Sequence, residues 1–362
     1  MNNQDNYRII DTDVHHTIRD WSQLQPYLQE PWRSRVMQAG SRVGGLGYIS
    51  PAGHRRKDAY PEDGSPPGSD PELLIKQLVQ ENNVDIVILT GEIYGWNTHP
   101  YHDYANAVIS AYNDWTIEHW LEPYPNIFRG CVAINSNDPQ AAAAEIDRVG
   151  GRDDMVMVIM GATSTAPYGQ KHYHPIYEAA VRHNLPVGIH PAAAGTGLAH
   201  AVSAVGYPRT YFEYHTGLPR IFQAQLISII AEGIFEKFRD LKWVFIEGGV
   251  SWVPQLMWRM DKNYKSLRAD TPWVRRMLSE YIKDHCYFTT QPIEEPPQPE
   301  WLLQIFEMMD ADDLLLYSSD YPHWDFDAMH VMNRLPLDYR RKIFQENAEQ
   351  LFDLKHASVL HG

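Results

Sequence analysis

The chain has 362 residues, is 44% hydrophobic and 21% charged, and carries a formal net charge of −15. That composition supports a large buried core, and the acidic excess argues against nucleic acid or an anionic membrane as the main partner. No apolar run approaches the length of a membrane span. The two cysteines, Cys131 and Cys286, sit in apolar runs and read as buried free thiols rather than a disulfide frame or a thiolate zinc site.

The N-terminal MNNQDNYRIID lacks a basic segment followed by an apolar stretch, so no secretory signal is expected and a cytoplasmic protein is predicted. The first strand is predicted over 8–14 and runs into Asp11, Asp13, His15 and His16. Side chains alternate along a strand, so residues 11, 13 and 15 share one side. Residues 17–70 are rich in Gly, Pro and charge and too long for a simple loop. They are expected to form a pocket wall or lid, or equally a subunit contact. A helix over 71–83 leads to a strand over 84–91. After it, Tyr94, Trp96, Asn97 and His99 are candidates to line a pocket. Helix 102–121, strand 127–135, helix 138–149 and strand 154–162 follow. His172 and His174, in GQKHYHP, have ligand-like spacing but read better as an exposed pair.

Helix 175–184 leads to a strand over 186–192 that carries His190 just before Pro191. A second long insertion, 193–217, contains His215 in YFEYHTGLP. His215 is a candidate acid/base group or second-metal ligand, although a plain loop histidine fits as well. Helix 218–240 precedes a strand over 242–249 carrying Glu247. In the predicted helix 252–282, Arg259 and Asp261 are expected to pair. Strand 286–291, helix 298–310 and strand 314–321 follow. The last strand ends in Asp320, with His323 close behind, and helix 336–353 completes the pattern.

The strand runs are short and apolar without strict alternation, as in a parallel sheet buried on both faces. Eight alternations of strand and helix predict an α/β fold, a (β/α)8 TIM barrel forming a single domain over 1–362, with long insertions after strands one and five. An open doubly wound sheet is the alternative, but no Gly-rich phosphate fingerprint follows strand one.

Singly, these ionisable groups are weak signals: a lone histidine is usually a hydrogen-bonded core residue, and Asp320 alone fits a helix N-cap or turn. Together they are strong. Strands one, five, six and eight each end in a ligand-type group, and barrel geometry brings such ends toward one axis. Buried carboxylates and imidazoles need partners, and a divalent metal is the simplest common one.

The motifs IDTDVHH, GIHP, FIEGGVSWVPQLMWRMD and YSSDYPHWD resemble the amidohydrolase superfamily, in particular the amidohydrolase-2 branch that includes aminocarboxymuconate-semialdehyde decarboxylase. The resemblance spans essentially the whole chain. It implies a divalent metal held by Asp13, His15, His190 and Asp320. It also implies either hydrolysis of C–N or C–O bonds or non-oxidative decarboxylation of aromatic or unsaturated acids, on a small carboxylate-bearing substrate. Two positions depart from the family pattern: Asp13 stands where a histidine is usual, and Glu247 replaces the strand-six histidine that serves decarboxylases as acid/base. Extra oxygen ligands shift preference from Zn²⁺ toward Mn²⁺ or Fe²⁺ and leave room for one or two ions per chain. Glu247 is expected either to bind the metal or to orient its ligands.

On the hydrolytic reading Asp320 takes the proton of a metal-bound water, while Glu247 or His323 moves protons to the leaving group. An oxygenase hydroxylating a small acid at a dinuclear Mn/Fe centre is an alternative. A structural subunit supporting a paired catalytic barrel is another, and a homo- or hetero-oligomer of barrels is expected.

Overall fold

A computed structural model describes residues 7–39, 55–192, 194, 197–201 and 203–354. Eight strands pair in parallel and in sequence order. They are β1 (Ile10–Val14), β2 (Ile86–Leu89), β3 (Phe128–Ala133), β4 (Met155–Gly161), β5 (Val187–His190), β6 (Trp243–Phe245), β7 (Cys286–Thr289) and β8 (Leu315–Leu316). The last returns to the first: Thr12 N donates to Tyr317 O at 2.9 Å, and His15 N donates to Tyr321 O at 2.8 Å. Closure removes the sheet edges, and helices cover the outside. This is the (β/α)8 barrel expected from the alternation.

Every strand falls within a predicted run. Their residues are buried apart from the half-buried Arg129 and Tyr287, which explains runs that are apolar on both sides rather than alternating. The helices have local start signals. Asp70 Oδ1 accepts from Glu72 N and Leu73 N ahead of the helix beginning at Pro71. Asp138 caps the helix beginning at Pro139 in the same way. An Asp–Pro pair does both jobs: the carboxylate satisfies free N–H groups, and proline fits where no N–H is needed. No helix of the described residues is long and apolar enough to cross a membrane.

The predicted helix 252–282 is two helices, Trp252–Leu267 and Leu278–His285. Pro272 lies between them, and a proline disfavours helical backbone at the residue before it. Asp261 does not pair with Arg259. It accepts from Ser279 N at 2.9 Å and Ser279 Oγ at 2.7 Å, fastening the start of the second helix.

Both insertions reach the C-terminal ends of the strands. The stretch 40–54 of the first, and residues 193, 195, 196 and 202 of the second, lie outside the described residues. The rest of the first insertion folds back on the segment after β8. Arg55 forms an antiparallel bridge with His323, Arg56 N donates to Pro322 O at 2.9 Å, and the Arg56 guanidinium lies over the Phe326 ring. The second insertion ends in a short helix, Tyr211–Gly217, started by a capping box between Thr210 and Glu213. That helix delivers His215 to the barrel mouth.

Candidate metal centre

Asp13 lies in β1 and His15 just beyond it. His190 ends β5, and Glu247 and Asp320 follow β6 and β8. All five side chains meet, each offering one ligand atom within 4.8 Å of the others. His15 Nε2 lies 2.9 Å from Asp320 Oδ1 and 3.6 Å from Asp13 Oδ1. His190 Nε2 lies 3.4 Å from Asp13 Oδ2 and 3.1 Å from Glu247 Oε2. Metal bonds of about 2.1 Å place neighbouring ligand atoms roughly 3.0–3.4 Å apart, and these separations fall around that range.

The two imidazoles are locked with their Nε2 atoms free. His15 Nδ1 lies 2.8 Å from Gly91 O. A carbonyl only accepts, so Nδ1 carries the proton and Nε2 presents a lone pair. Gly91 is required there: its φ is +65°, and a Cβ would stand 2.7 Å from Tyr112 Oη. His190 Nδ1 donates to Pro191 O at 2.9 Å and lies 2.8 Å from Tyr94 Oη. Three buried atoms, His15 Nε2, His190 Nε2 and Asp13 Oδ2, make no hydrogen bond. Orphaned polar atoms are costly, and these three face one another in one cluster. The donor set therefore fits a divalent ion.

The electrostatics agree. Burial, reinforced by Glu247, Asp13 and Asp325, holds the Asp320 carboxyl well above the usual carboxylate range. Burial also raises Glu247, with His190 and His215 opposing. For Asp13 the order reverses: burial is outweighed by His190 and His15, and its pKa falls. His15 is pushed down to about 3 by burial, with Asp13 opposing, so it is neutral as a metal ligand must be. His190 goes up to about 8 because Asp13 and Glu247 outweigh burial. A cation in the cluster relieves the crowding of carboxylates and holds His190 deprotonated.

Glu247 and Asp320 have φ of +59°. Left-handed backbone is uncommon outside glycine and costs on the order of 1–3 kcal/mol. At two strand ends it turns carboxylates inward that extended backbone would carry elsewhere.

A second ring of residues surrounds the cluster. Thr90 Oγ1 donates to Asp13 Oδ1 at 2.7 Å. His323 Nδ1 donates to Asp320 Oδ1 at 2.6 Å. Arg55 Nη1 lies 2.6 Å from His323 Nε2, so Nε2 accepts, and Arg55 also pairs with Glu92. Gln291 Nε2 donates to Asp320 Oδ2 at 3.2 Å and to Asp325 Oδ2 at 2.9 Å. His215 Nε2 lies 3.2 Å from Asp325 Oδ2 and 3.7 Å from Glu247 Oε1. The His215 ring stands between Tyr211 and Trp324, with centroids 5.5 Å and 5.6 Å away.

Other candidates lie elsewhere. His16 faces away from the cluster: its ring stacks on Trp115 and its Nε2 lies 2.8 Å from Thr116 Oγ1. Of the four candidates after β2, only Tyr94 touches the cluster, through His190 Nδ1. Trp96 packs on Trp21 and Tyr104, His99 stacks on Trp96, and Asn97 donates to Ser136 Oγ and Thr163 O. His172 is exposed, and His174 contacts Lys237 on the helical layer. Cys131 and Cys286 are buried free thiols. Arg55, Thr90, Gln291 and Asp325 were not singled out from sequence. Asp325 had a signal, an acid next to the YSSDYPHW motif, and Gln291 ends a strand run just before a proline.

The family model described as amidohydrolase matches residues 10–354. The gamma-resorcylate decarboxylase of Polaromonas sp. (strain JS666) is 23% identical over 293 residues, covering 77% of this chain and 86% of the relative. That of Rhodococcus jostii is 24% identical over 306 residues, with the same shares. Among solved structures, the 5-carboxyvanillate decarboxylase of Novosphingobium aromaticivorans, complexed with manganese and 4-hydroxy-3-methoxy-5-nitrobenzoic acid, superposes with a TM-score of 0.72 at 19% identity, covering 98% of each chain.

Proposed function

Because the chain belongs to the amidohydrolase family, whose model spans nearly all of it, we propose that it is a metal-dependent carboxy-lyase. It would remove CO2, without redox change, from a small aromatic acid bearing an oxygen beside the carboxylate. The observation that carries this reading is the buried convergence of Asp13, His15, His190, Glu247 and Asp320. The curated relatives, both named gamma-resorcylate decarboxylases, support it, as does a neighbour solved with manganese and a substituted benzoic acid.

In this reading Asp13, His15, His190 and Asp320 hold the ion, and Glu247 completes the set. Three carboxylates among the ligands favour manganese or iron over zinc. The bound ion would polarise the substrate carboxylate and the adjacent oxygen. Arg55 adds positive charge near the cluster, and Tyr211 and Trp324 offer ring faces at the mouth. When the C–C bond breaks, its electron pair stays on the ring carbon, which must take up a proton. Asp320, one of the five converging side chains, would deliver that proton. His323 donates to Asp320 Oδ1 at 2.6 Å and orients the carboxyl group, and the proton spent in each turnover would be regained from solvent water. Asp320 thereby supplies the acid that strand six, with Glu247 instead of histidine, does not offer.

Oxygen-dependent hydroxylation and a non-catalytic partner role, both open from sequence, find no support among the relatives named above. Assaying CO2 release from a panel of hydroxybenzoates by the manganese-loaded chain tests the reading. Hydrolysis of amides or lactones, with no CO2 released from any acid, would replace it with a hydrolase.

A further inference from the structure

A cleft separate from the metal centre opens between the loop after β4 and the strand-five insertion. It is walled by residues 162–167, by residues between 200 and 207, and by Arg220, Ile221, Ala224 and Gln225. Its volume is about 680 Å³, within the range of roughly 300–1,000 Å³ in which small-molecule sites fall.

The floor is fixed. Ala162, Thr163, Ser164 and Gln225 are its buried members. Gln225 Nε2 donates to Ala162 O at 2.9 Å and to Ser164 Oγ at 3.0 Å, and its Oε1 accepts from Tyr168 N at 2.8 Å. Thr163 Oγ1 donates to Ala192 O at 2.7 Å. These groups spend their hydrogen bonds on holding the loop, so the cleft is formed before any ligand arrives.

The rim differs. His200, Tyr207 and Arg220 are exposed, and among the described residues none of their side chains has a hydrogen-bond or ion-pair partner. In a chain with 46 acidic and 31 basic residues, no acidic side chain lines this cleft among the described residues. Arg220 also stands in the first turn of the helix Pro219–Ala231, where a cation opposes the helix dipole. The helix gains nothing from its charge there.

The geometry points to a binding site for a small organic carboxylate. Arg220, His200 and Tyr207 would donate to the carboxylate, a guanidinium being shaped to meet both of its oxygens. Pro167, Ile221 and Ala224 would flank the apolar body. His200 and Tyr207 precede the helix Tyr211–Gly217 that carries His215, and Arg220 follows it. One ligand held by all three would join the two ends of the insertion and steady His215 at the barrel mouth. The site is an effector site beside the reaction centre, and the inference does not rest on the reaction being decarboxylation.

The test uses 4-bromobenzoate as probe on the full-length, manganese-loaded chain, by calorimetric titration and by the anomalous signal of bromine in crystals. The expected result is a bromine position in the cleft and a binding event in solution. Arg220→Met removes the charge and Ala224→Phe fills the cleft. Both positions are exposed, so the fold should tolerate the changes. Each should weaken that event by about 10–100-fold and leave manganese content unchanged. Bromine confined to the metal centre would overturn the site. So would bromine in the cleft without a binding event in solution, which is binding at crystal concentration only. Titrations unchanged in both variants would overturn it as well. None of these outcomes bears on CO2 release at the metal centre, so the carboxy-lyase reading stands or falls separately.

Discussion

Asp320 N donates to Asp13 O at 3.1 Å, so the last strand of the barrel closes onto the first at the two carboxylates that flank His15. The backbone bond that completes the fold thus also sets the site. Disturbing the side chains there need not disturb the closure, and this shapes the first prediction.

Asp320→Asn should preserve the fold and remove function. Asparagine tolerates the left-handed φ of +59° at this position, and the backbone bond to Asp13 does not involve the side chain. The amide neither carries the proton nor ligates as an anion. Turnover should fall by about 10²–10⁴-fold, with less bound metal and an unchanged circular dichroism spectrum. Wild-type rate and metal content would remove Asp320 from the site.

Thr90→Val should weaken the metal without touching it. The Thr90 hydroxyl donates to Asp13 Oδ1 at 2.7 Å in a fully buried setting, and valine keeps the shape while losing the donor. Manganese affinity measured by calorimetry should drop by about 10–100-fold. Unchanged affinity would mean that Asp13 is oriented by other contacts.

Metal removal should destabilise the fold. The ion binds the native cluster and not the unfolded chain, so at a hundredfold excess over Kd it contributes about 2.7 kcal/mol. The melting temperature should fall by several degrees on chelation and recover with Mn²⁺. A melting curve indifferent to chelator and metal would contradict a tightly held ion in the buried cluster.

Asp11 should impose a pH dependence on the metal-free protein. Burial pushes its carboxyl up to about 7, with hydrogen bonds from Ser319 opposing. The unfolded chain ionises it near 4. A raised folded value means that stability is fully present below about pH 4 and is lost as pH rises through 7. Urea unfolding across that range should show a decline that Asp11→Asn makes shallower, because asparagine is neutral throughout and keeps an oxygen for Ser319 N, while Asp320 and Glu247, also raised by burial, still contribute. Parallel curves for the two proteins would contradict this.

Much of the fold was legible because β1 to β8 are buried on both faces and therefore read as plain apolar runs, whereas the helix Tyr211–Gly217, inside the insertion after β5, was not read although Thr210 and Glu213 form its capping box. The break between Trp252–Leu267 and Leu278–His285 was signalled by Pro272, but the helical pattern on both sides masked it. In the site, Asp13, His15, His190, Glu247 and Asp320 were legible as ionisable groups at strand ends. Arg55, Thr90 and Asp325 were not, since they act through contacts across 268, 77 and 110 positions of sequence. The inward turn of Glu247 and Asp320 depends on backbone angles that composition does not encode.

The most direct test of the central claim is CO2 release from a 2,6-dihydroxybenzoate-type acid, measured on one preparation as purified, after chelation and after reloading with Mn²⁺. The account predicts release that disappears with the metal and returns with it. Release that survives complete metal removal, or none from the loaded chain across the hydroxybenzoate panel, would contradict it.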